Sequence, residues 1–187
     1  IFNICNHFRT KNNITPLILM GYYNVIYHFG IDNFIKSCEE VGVDGLIIVD
    51  LQPEEDSELF DKIQSKNIDL IRLVTPTTNK NRLETILKNS SGFLYYVTIT
   101  GITGQHSANI EKLHQSINKV KKLTSLPVVA GFGIKSTEQV KEICSFCDGA
   151  VVGSSIIKII EENLEINKDL ILPKISKFVI DLKRGII

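Results

Sequence analysis

The chain has 187 residues, of which 43% are hydrophobic and 22% charged, the profile of one soluble globular domain long enough to bury a sizeable core. Its 21 basic residues balance 21 acidic ones, so charge gives no reason to expect a nucleic acid or an anionic membrane as partner. No apolar run approaches the roughly 20 residues that a membrane span needs, and the N-terminal IFNICNHFRTKNN is too polar for a secretory leader, so the chain is not expected to be secreted.

Residues 2–8 read as the tail of a helix ended by Lys11-Asn12-Asn13. Leu17-Ile18-Leu19-Met20 is a continuous apolar run of the length of a strand buried on both faces, and it stops at Gly21-Tyr22-Tyr23-Asn24. Phe34, Ile35, Cys38 and Val41 then recur at helical spacing. Gly42-Val43-Asp44-Gly45 turns the chain into a second strand, Leu46-Ile47-Ile48-Val49, ending at Asp50. Pro53 reads as a first helical turn, with Glu54, Glu55 and Asp56 placed where the macrodipole favours acids; Leu59 and Ile63 carry that helix's apolar face. A third strand is predicted over 70–74, followed by a helix capped by Thr77-Thr78-Asn79, with Leu83, Ile86 and Leu87 facing inward. The fourth strand covers 93–97, and Ile110, Leu113, Ile117 and Val120 mark a long amphipathic helix. Val128-Val129-Ala130 is the fifth strand, stopping at Gly131-Phe132-Gly133. Val140, Ile143 and Cys144 are the stripe of the next helix. The sixth strand, Ala150-Val151-Val152, stops at Gly153, where Ser154-Ser155 open a helical pattern; a closing helix carries Ile175, Phe178, Val179 and Leu182.

Val43-Asp44-Gly45-Leu46-Ile47-Ile48-Val49 echoes Cys147-Asp148-Gly149-Ala150-Val151-Val152-Gly153. A recurring helix, Asp-Gly turn and strand means an α/β protein with parallel strands and right-handed crossovers. Six such units fit either an open doubly wound sheet or a closed eight-stranded barrel, which needs about 250 residues. The glycine turns after the last two strands favour the barrel. The start at Ile1, in mid-pattern, accounts for two absent units, so the expected fold is an incomplete TIM (β/α)8 barrel in which residues 1–187 form a single domain. Deprived of two strands, such a barrel exposes unpaired edges and apolar helix faces and is expected to aggregate when alone.

Glycine lets another atom approach the backbone closely, and a helix opening on serine leaves N–H groups free for an anion. Two such turns in adjacent units point to a phosphorylated small molecule. Cys5, Cys38, Cys144 and Cys147 suit a reducing compartment; Cys144-x-x-Cys147 lacks a second pair or a histidine at zinc spacing, and the four histidines show no metal-like spacing. Neither G-x-G-x-x-G nor a Walker sequence occurs, so no metal and no cofactor are expected.

The run GFLYYVTITGITG over 92–104, with Ala130-Gly131-Phe132-Gly133-Ile134 and Val152-Gly153-Ser154-Ser155-Ile156-Ile157-Lys158, resembles the α subunit of tryptophan synthase. The resemblance extends to Leu19-Met20-Gly21-Tyr22-Tyr23-Asn24 and Glu40-Val41-Gly42-Val43-Asp44-Gly45, in order and over essentially the whole chain. It implies a TIM barrel that cleaves indole-3-glycerol phosphate to indole and glyceraldehyde 3-phosphate, a retro-aldol reaction needing general acid–base help. It also implies an α2β2 tetramer in which the β subunit holds pyridoxal phosphate and joins indole to serine, in the cytoplasm or a plastid stroma. The family's catalytic glutamate and aspartate have no counterpart in these 187 residues and are expected upstream of Ile1, so this chain by itself is expected not to catalyse.

By the same resemblance, Gly104, Gly133, Gly153 and Ser154 are the phosphate contacts. Tyr95 faces the barrel mouth near the substrate, Phe132 packs on the indole, Thr103 belongs to a mobile lid, and Tyr22 lies near the indole pocket. Tyr23-Asn24 fall where the family meets its β partner, and Asp50 supports loops. Read without the resemblance, the glycines are tight turns, Tyr95 is a core aromatic, Thr103 is an ordinary loop hydroxyl and Tyr22 is a surface residue. Two other functions fit part of the pattern: another phosphate-binding barrel enzyme of the same pathway, or a non-catalytic partner of a β subunit.

Overall fold

The computed structural model describes residues 1–98, 106–131 and 133–186. Two compact units are formed, one from Ile1–Leu73 with Asn79–Leu94, the other from Val74–Thr78 with Tyr95–Ile187.

The first unit contains α1 (Phe2–Arg9), β1 (Ile18–Gly21), α2 (Tyr23–Phe29), α3 (Ile31–Glu40), β2 (Gly45–Ile48), α4 (Ser57–Ile63), β3 (Asp69–Leu70), the start of β4 (Arg72–Val74) and α5 (Lys80–Lys88). Its sheet has the order β1-β2-β3, with both pairings parallel. All four residues of β2 are buried, as a central parallel strand covered on both faces requires. Leu46 packs there with Ile35, Cys38, Leu59 and Leu70, each fully buried apolar side chain contributing roughly 1.5–3 kcal/mol. At one margin of this core Phe2, Phe29 and Phe34 stack at centroid distances of 5.7, 5.8 and 6.4 Å.

The second unit carries a sheet of order β4-β5-β6-β7, which β4 and β5 (Leu94–Val97) enter at Val74 and Tyr95. Its other elements are α6 (His106–Lys121), β6 (Val128–Gly131), α7 (Thr137–Cys144), β7 (Gly149–Val151), α8 (Ser154–Leu164), a short 3-10 turn (Lys168–Leu170) and α9 (Ile171–Lys183). Strands β6 and β7 pair in parallel with Gly131 opposite Val151, so they end on the same side. Cys5, Cys38 and Cys147 are buried, and the four cysteines are free thiols; burial pushes the Cys38 and Cys147 thiols up to about 12. Among the described residues no helix is long and apolar enough to cross a membrane.

The Asp-Gly repeat has one physical meaning in both units. Asp44 donates its N–H to the Leu17 carbonyl (2.9 Å), while its carboxylate accepts the Leu17 N–H (2.6 Å) and pairs with Arg9 of α1. Asp148 does the same: its N–H goes to the Val128 carbonyl (2.9 Å), and its carboxylate accepts the Val128 N–H (2.8 Å) and Lys121 Nζ of α6 (2.8 Å). The glycine that follows then lies opposite Ile18 in one case and Val129 in the other. A Cβ on Gly45 would come within 2.6 Å of Ile71 Cδ1 and 2.9 Å of Ile18 Cδ1, so that position has no room for a side chain.

Several elements depart from the sequence pattern. The third strand is broken at Ile71 into β3, which pairs with β2, and β4, which pairs with β5; the Ile71 N–H still bonds the Leu46 carbonyl (2.9 Å). Helix α2 was not expected; its first N–H, on Tyr23, is taken by Asp50 Oδ1 (2.8 Å), a cap supplied from 27 residues away. Helix α4 starts at Ser57 rather than at Pro53, since Asp56 and Glu54 are engaged by Arg72 and Arg82 instead of lying in the first turn. The cap at Asn79 is as expected, its side chain accepting the Arg82 N–H (2.9 Å).

Two outcomes follow. Burial alone would push the Asp148 carboxyl up, but Lys121 and the Val128 N–H outweigh it and hold the group below the usual carboxylate range. A group whose pKa is depressed by folding stabilises above its unfolded value of about 4 and ceases to do so as pH falls through its folded value. Asp148→Asn, whose amide oxygen can still accept the Val128 N–H, is therefore expected to lower stability by about 0.5 kcal/mol at pH 7 through loss of the carboxylate charge, a modest amount because solvent screens the ion pair. That difference should close as the pH falls below about 4 in urea-unfolding curves; a pH-independent gap would contradict the register role. Second, β1 ends its sheet with no strand on its outer edge among the described residues, and Met20 (59% exposed) and Ile14 (93% exposed) lie bare nearby. The isolated chain is expected to self-associate at micromolar concentration, and Met20→Lys to raise the monomer fraction in light scattering; a monomer with one sharp thermal transition would contradict this.

Candidate phosphate site

In the second unit the site is built where β6 and β7 end. After β6 the backbone passes through Gly131 and Gly133; Gly133 has φ +65°, the left-handed region that favours glycine. After β7, Gly153 occupies the position before α8 and offers no side chain to cap it. The Gly153 carbonyl accepts the N–H groups of Ile156 (2.9 Å) and Ile157 (3.2 Å). The Ser154 and Ser155 N–H groups have no acceptor among the described residues. Among the described residues, a Cβ added at Gly133 or Gly153 would meet nothing within 4 Å, so neither glycine is crowded by them. An uncapped helix start of this kind presents partial positive charge and bare donors outward, which suits an anion.

One side chain ties the two turns together. Ser155 Oγ donates to the Ile134 carbonyl at 2.6 Å, clasping the loop after β6 to the first turn of α8. Thr98, just beyond β5, donates through its Oγ1 (2.9 Å) and its N–H (3.5 Å) to the Gly131 carbonyl. The Tyr95 ring lies against Gly131: a Cβ there would be 2.5 Å from the phenolic oxygen and 2.8 Å from Cε2. Burial pushes the Tyr95 phenol up from its ordinary value, so it stays a protonated donor through neutral pH. Beside α8 a depression of about 460 Å3 is lined by Lys135, Ser154, Ser155, Lys158 and Glu162 among others, with Lys158 Nζ paired to the Glu162 carboxylate (3.6 Å).

Of the residues singled out in the sequence, Tyr95, Gly133, Gly153 and Ser154 thus fall at one end of the second unit. Thr103, Gly104 and Phe132 lie outside the described residues. Tyr22 belongs to the first unit, where it precedes α2 and is 62% exposed. Beside it Tyr23, Asn24, Tyr27, Asp50, Leu51, Gln52 and Glu55 line a separate cleft of about 540 Å3. Sequence reasoning missed Ser155, Thr98 and the constraint at Gly131; the signal for Ser155 was its place in the Ser-Ser pair that opens α8.

Parallel strands joined through helices, with glycine turns and an uncapped helix start where successive strands end, define the α/β class whose TIM-barrel members hold phosphate at their last loops. The family model described as tryptophan synthase alpha chain matches residues 1–184. A solved tryptophan synthase alpha chain from Legionella pneumophila is 34% identical with a TM-score of 0.88, over 99% of this chain and 68% of that one. An alpha chain from the tryptophan synthase α2β2 complex of Pyrococcus furiosus is 31% identical with a TM-score of 0.85, over 97% of this chain and 71% of that one. The chain belongs to the tryptophan synthase alpha chain family, and its role is that of the α subunit, a lyase of tryptophan biosynthesis. Its fold is accordingly that of an incomplete TIM barrel, spanning 68% of the Legionella chain.

Ser155→Ala removes the clasp while leaving the helix start intact. It is expected to weaken binding of inorganic phosphate about five-fold, the loss of roughly one hydrogen bond, with Ser155→Thr retaining most of it. Equal affinity for the wild-type and alanine chains in calorimetry would show that the clasp does not shape the site.

Proposed function

We propose that this chain contributes the phosphate-holding part of indole-3-glycerol phosphate cleavage. The phosphate dianion sits against the amides of Ser154, Gly153 and Gly133, and backbone donors fixed in advance bind it without reorganising; Gly104 as a fourth contact rests on the family resemblance alone. The observation that supports this is the Ser155–Ile134 bond, which brings the left-handed Gly133 turn to the uncapped start of α8. The Tyr95 phenol donates toward the glycerol end of the substrate. Phe132 as the indole platform, Thr103 in the lid and Tyr22 near the indole rest on the family resemblance alone.

Breaking the bond between indole C3 and the glycerol carbon requires a proton delivered to C3 and one removed from the glycerol hydroxyl. The acid pair that does this in the family has no counterpart in these 187 residues, so the chain by itself binds and does not turn over. The α chain needs no cofactor for acid–base cleavage. Indole passes to a β chain that holds pyridoxal phosphate, in an α2β2 assembly like that of the Pyrococcus relative, in the cytoplasm or a plastid stroma.

The chain is expected to bind glycerol phosphate with Kd about 1 mM, near 4 kcal/mol, and to release no indole from indole-3-glycerol phosphate above the uncatalysed rate. Calorimetry and an indole assay read the two halves separately. Absence of binding overturns the phosphate site, and measurable turnover overturns the assignment of the acids.

A further inference from the structure

Two arginines hold one loop in the first unit. Residues 51–56, between β2 and α4, form neither helix nor strand. Arg72 on β4 donates Nη1 to the Leu51 carbonyl (2.9 Å) and pairs through Nη2 with the Asp56 carboxylate, which also accepts Asn89 Nδ2 (3.1 Å). Arg82 on α5 reaches the side chains of Gln52 and Glu54. The segment is therefore tied at its first, second, fourth and sixth residues.

The inner of these two ties is a costly choice. The side chains of Arg72 and Asp56 are 5% and 2% exposed, and Leu70, Ile71 and Val74 around position 72 are buried apolar residues. Burial and the nearby Arg82 pull the Arg72 guanidinium down to about 10, and its Nε has no partner among the described residues. Apolar side chains in place of a buried ion pair are often neutral or stabilising, so stability does not account for it. What no apolar residue does is grip a carbonyl and a carboxylate five residues apart with one rigid fork. The gripped segment has a visible task. Leu51, Gln52 and Glu55, with Asp50, form one wall of the 540 Å3 cleft whose other wall is Tyr23, Asn24 and Tyr27. Asp50 joins the walls by accepting the Tyr23 N–H.

We infer that Arg72 is a positioning residue: it sets the shape of the 51–56 loop before any partner arrives and so preforms the cleft beside α2. The inference rests on the proposed α2β2 assembly and on the family resemblance, which implies that Tyr23-Asn24 meet the β chain, and it assigns the cost of the buried pair to a docking surface that needs no ordering on association.

The test compares the wild-type chain with Arg72→Met/Asp56→Leu, which replaces both charges by apolar side chains, and with Arg72→Lys, which keeps the charge but not the fork. Hydrogen exchange by mass spectrometry at sub-micromolar concentration is read alongside the thermal midpoint and affinity for the β chain. The double variant is expected to keep its thermal midpoint, to exchange the Glu55 amide, held in the wild type by the Gln52 carbonyl (3.0 Å), at least ten-fold faster with β1, β2 and β3 unchanged, and to bind the β chain at least ten-fold more weakly. Arg72→Lys should likewise speed exchange at Glu55 and stands in if the double variant does not fold. Unchanged exchange across 51–56 in a folded variant overturns the inference. Faster exchange with undiminished affinity upholds Arg72's grip on the loop and overturns docking at this cleft instead.

Discussion

The register of the parallel strands depends on a carboxylate placed one residue before each Asp-Gly strand. Asp44 and Asp148 each donate the backbone N–H to the carbonyl of the residue that opens the neighbouring strand region, Leu17 or Val128, and take that residue's N–H on the side-chain carboxylate. A cation from the preceding helix, Arg9 or Lys121, completes the clamp. A parallel strand that slipped by one residue would turn its apolar set to the wrong face. With the register fixed at the bottom of the strands, the tops are fixed as well: Gly131 ends opposite Val151, and the loops that follow begin level with each other.

The site is a consequence of that levelling. Two loops starting at the same height can share a ligand, provided that something joins them and nothing fills the space between. Ser155 supplies the joint and the missing Cβ atoms of Gly133 and Gly153 leave the space. The charge that recognises an anion here comes mainly from the open start of α8, where an ordinary capping side chain would have satisfied the amides internally. Tyr95 is held at the same edge because Gly131 gives its ring room.

The sequence made legible what is local or repeated. The apolar run of β2 and the Asn79 cap are written in neighbouring residues, and the Asp-Gly pair was legible because it recurs, although its partners Leu17 and Val128 lie 27 and 20 residues away. Features made by distant partners were not. The cap of α2 comes from Asp50, and the acids at 54 and 56 look like a helical first turn until Arg82 and Arg72 claim them. An arginine in a strand otherwise made of leucine, isoleucine and valine was itself a signal, because such a charge needs a buried partner. Gly133 was visible because its positive φ selects for glycine, and Gly153 because it ends an apolar strand run, whereas Ser155 was hidden behind a neighbour that carries the same side chain.

The most direct test of the account is a nuclear magnetic resonance titration of the 15N-labelled chain with inorganic phosphate. The amide resonances of Gly133, Gly153 and Ser154 should move together along one saturating curve, with those of β1 and α3 unmoved. Phosphate shifts scattered over both units, or a Ser154 amide that stays still while others respond, would contradict a single cradle formed by the ends of β6 and β7.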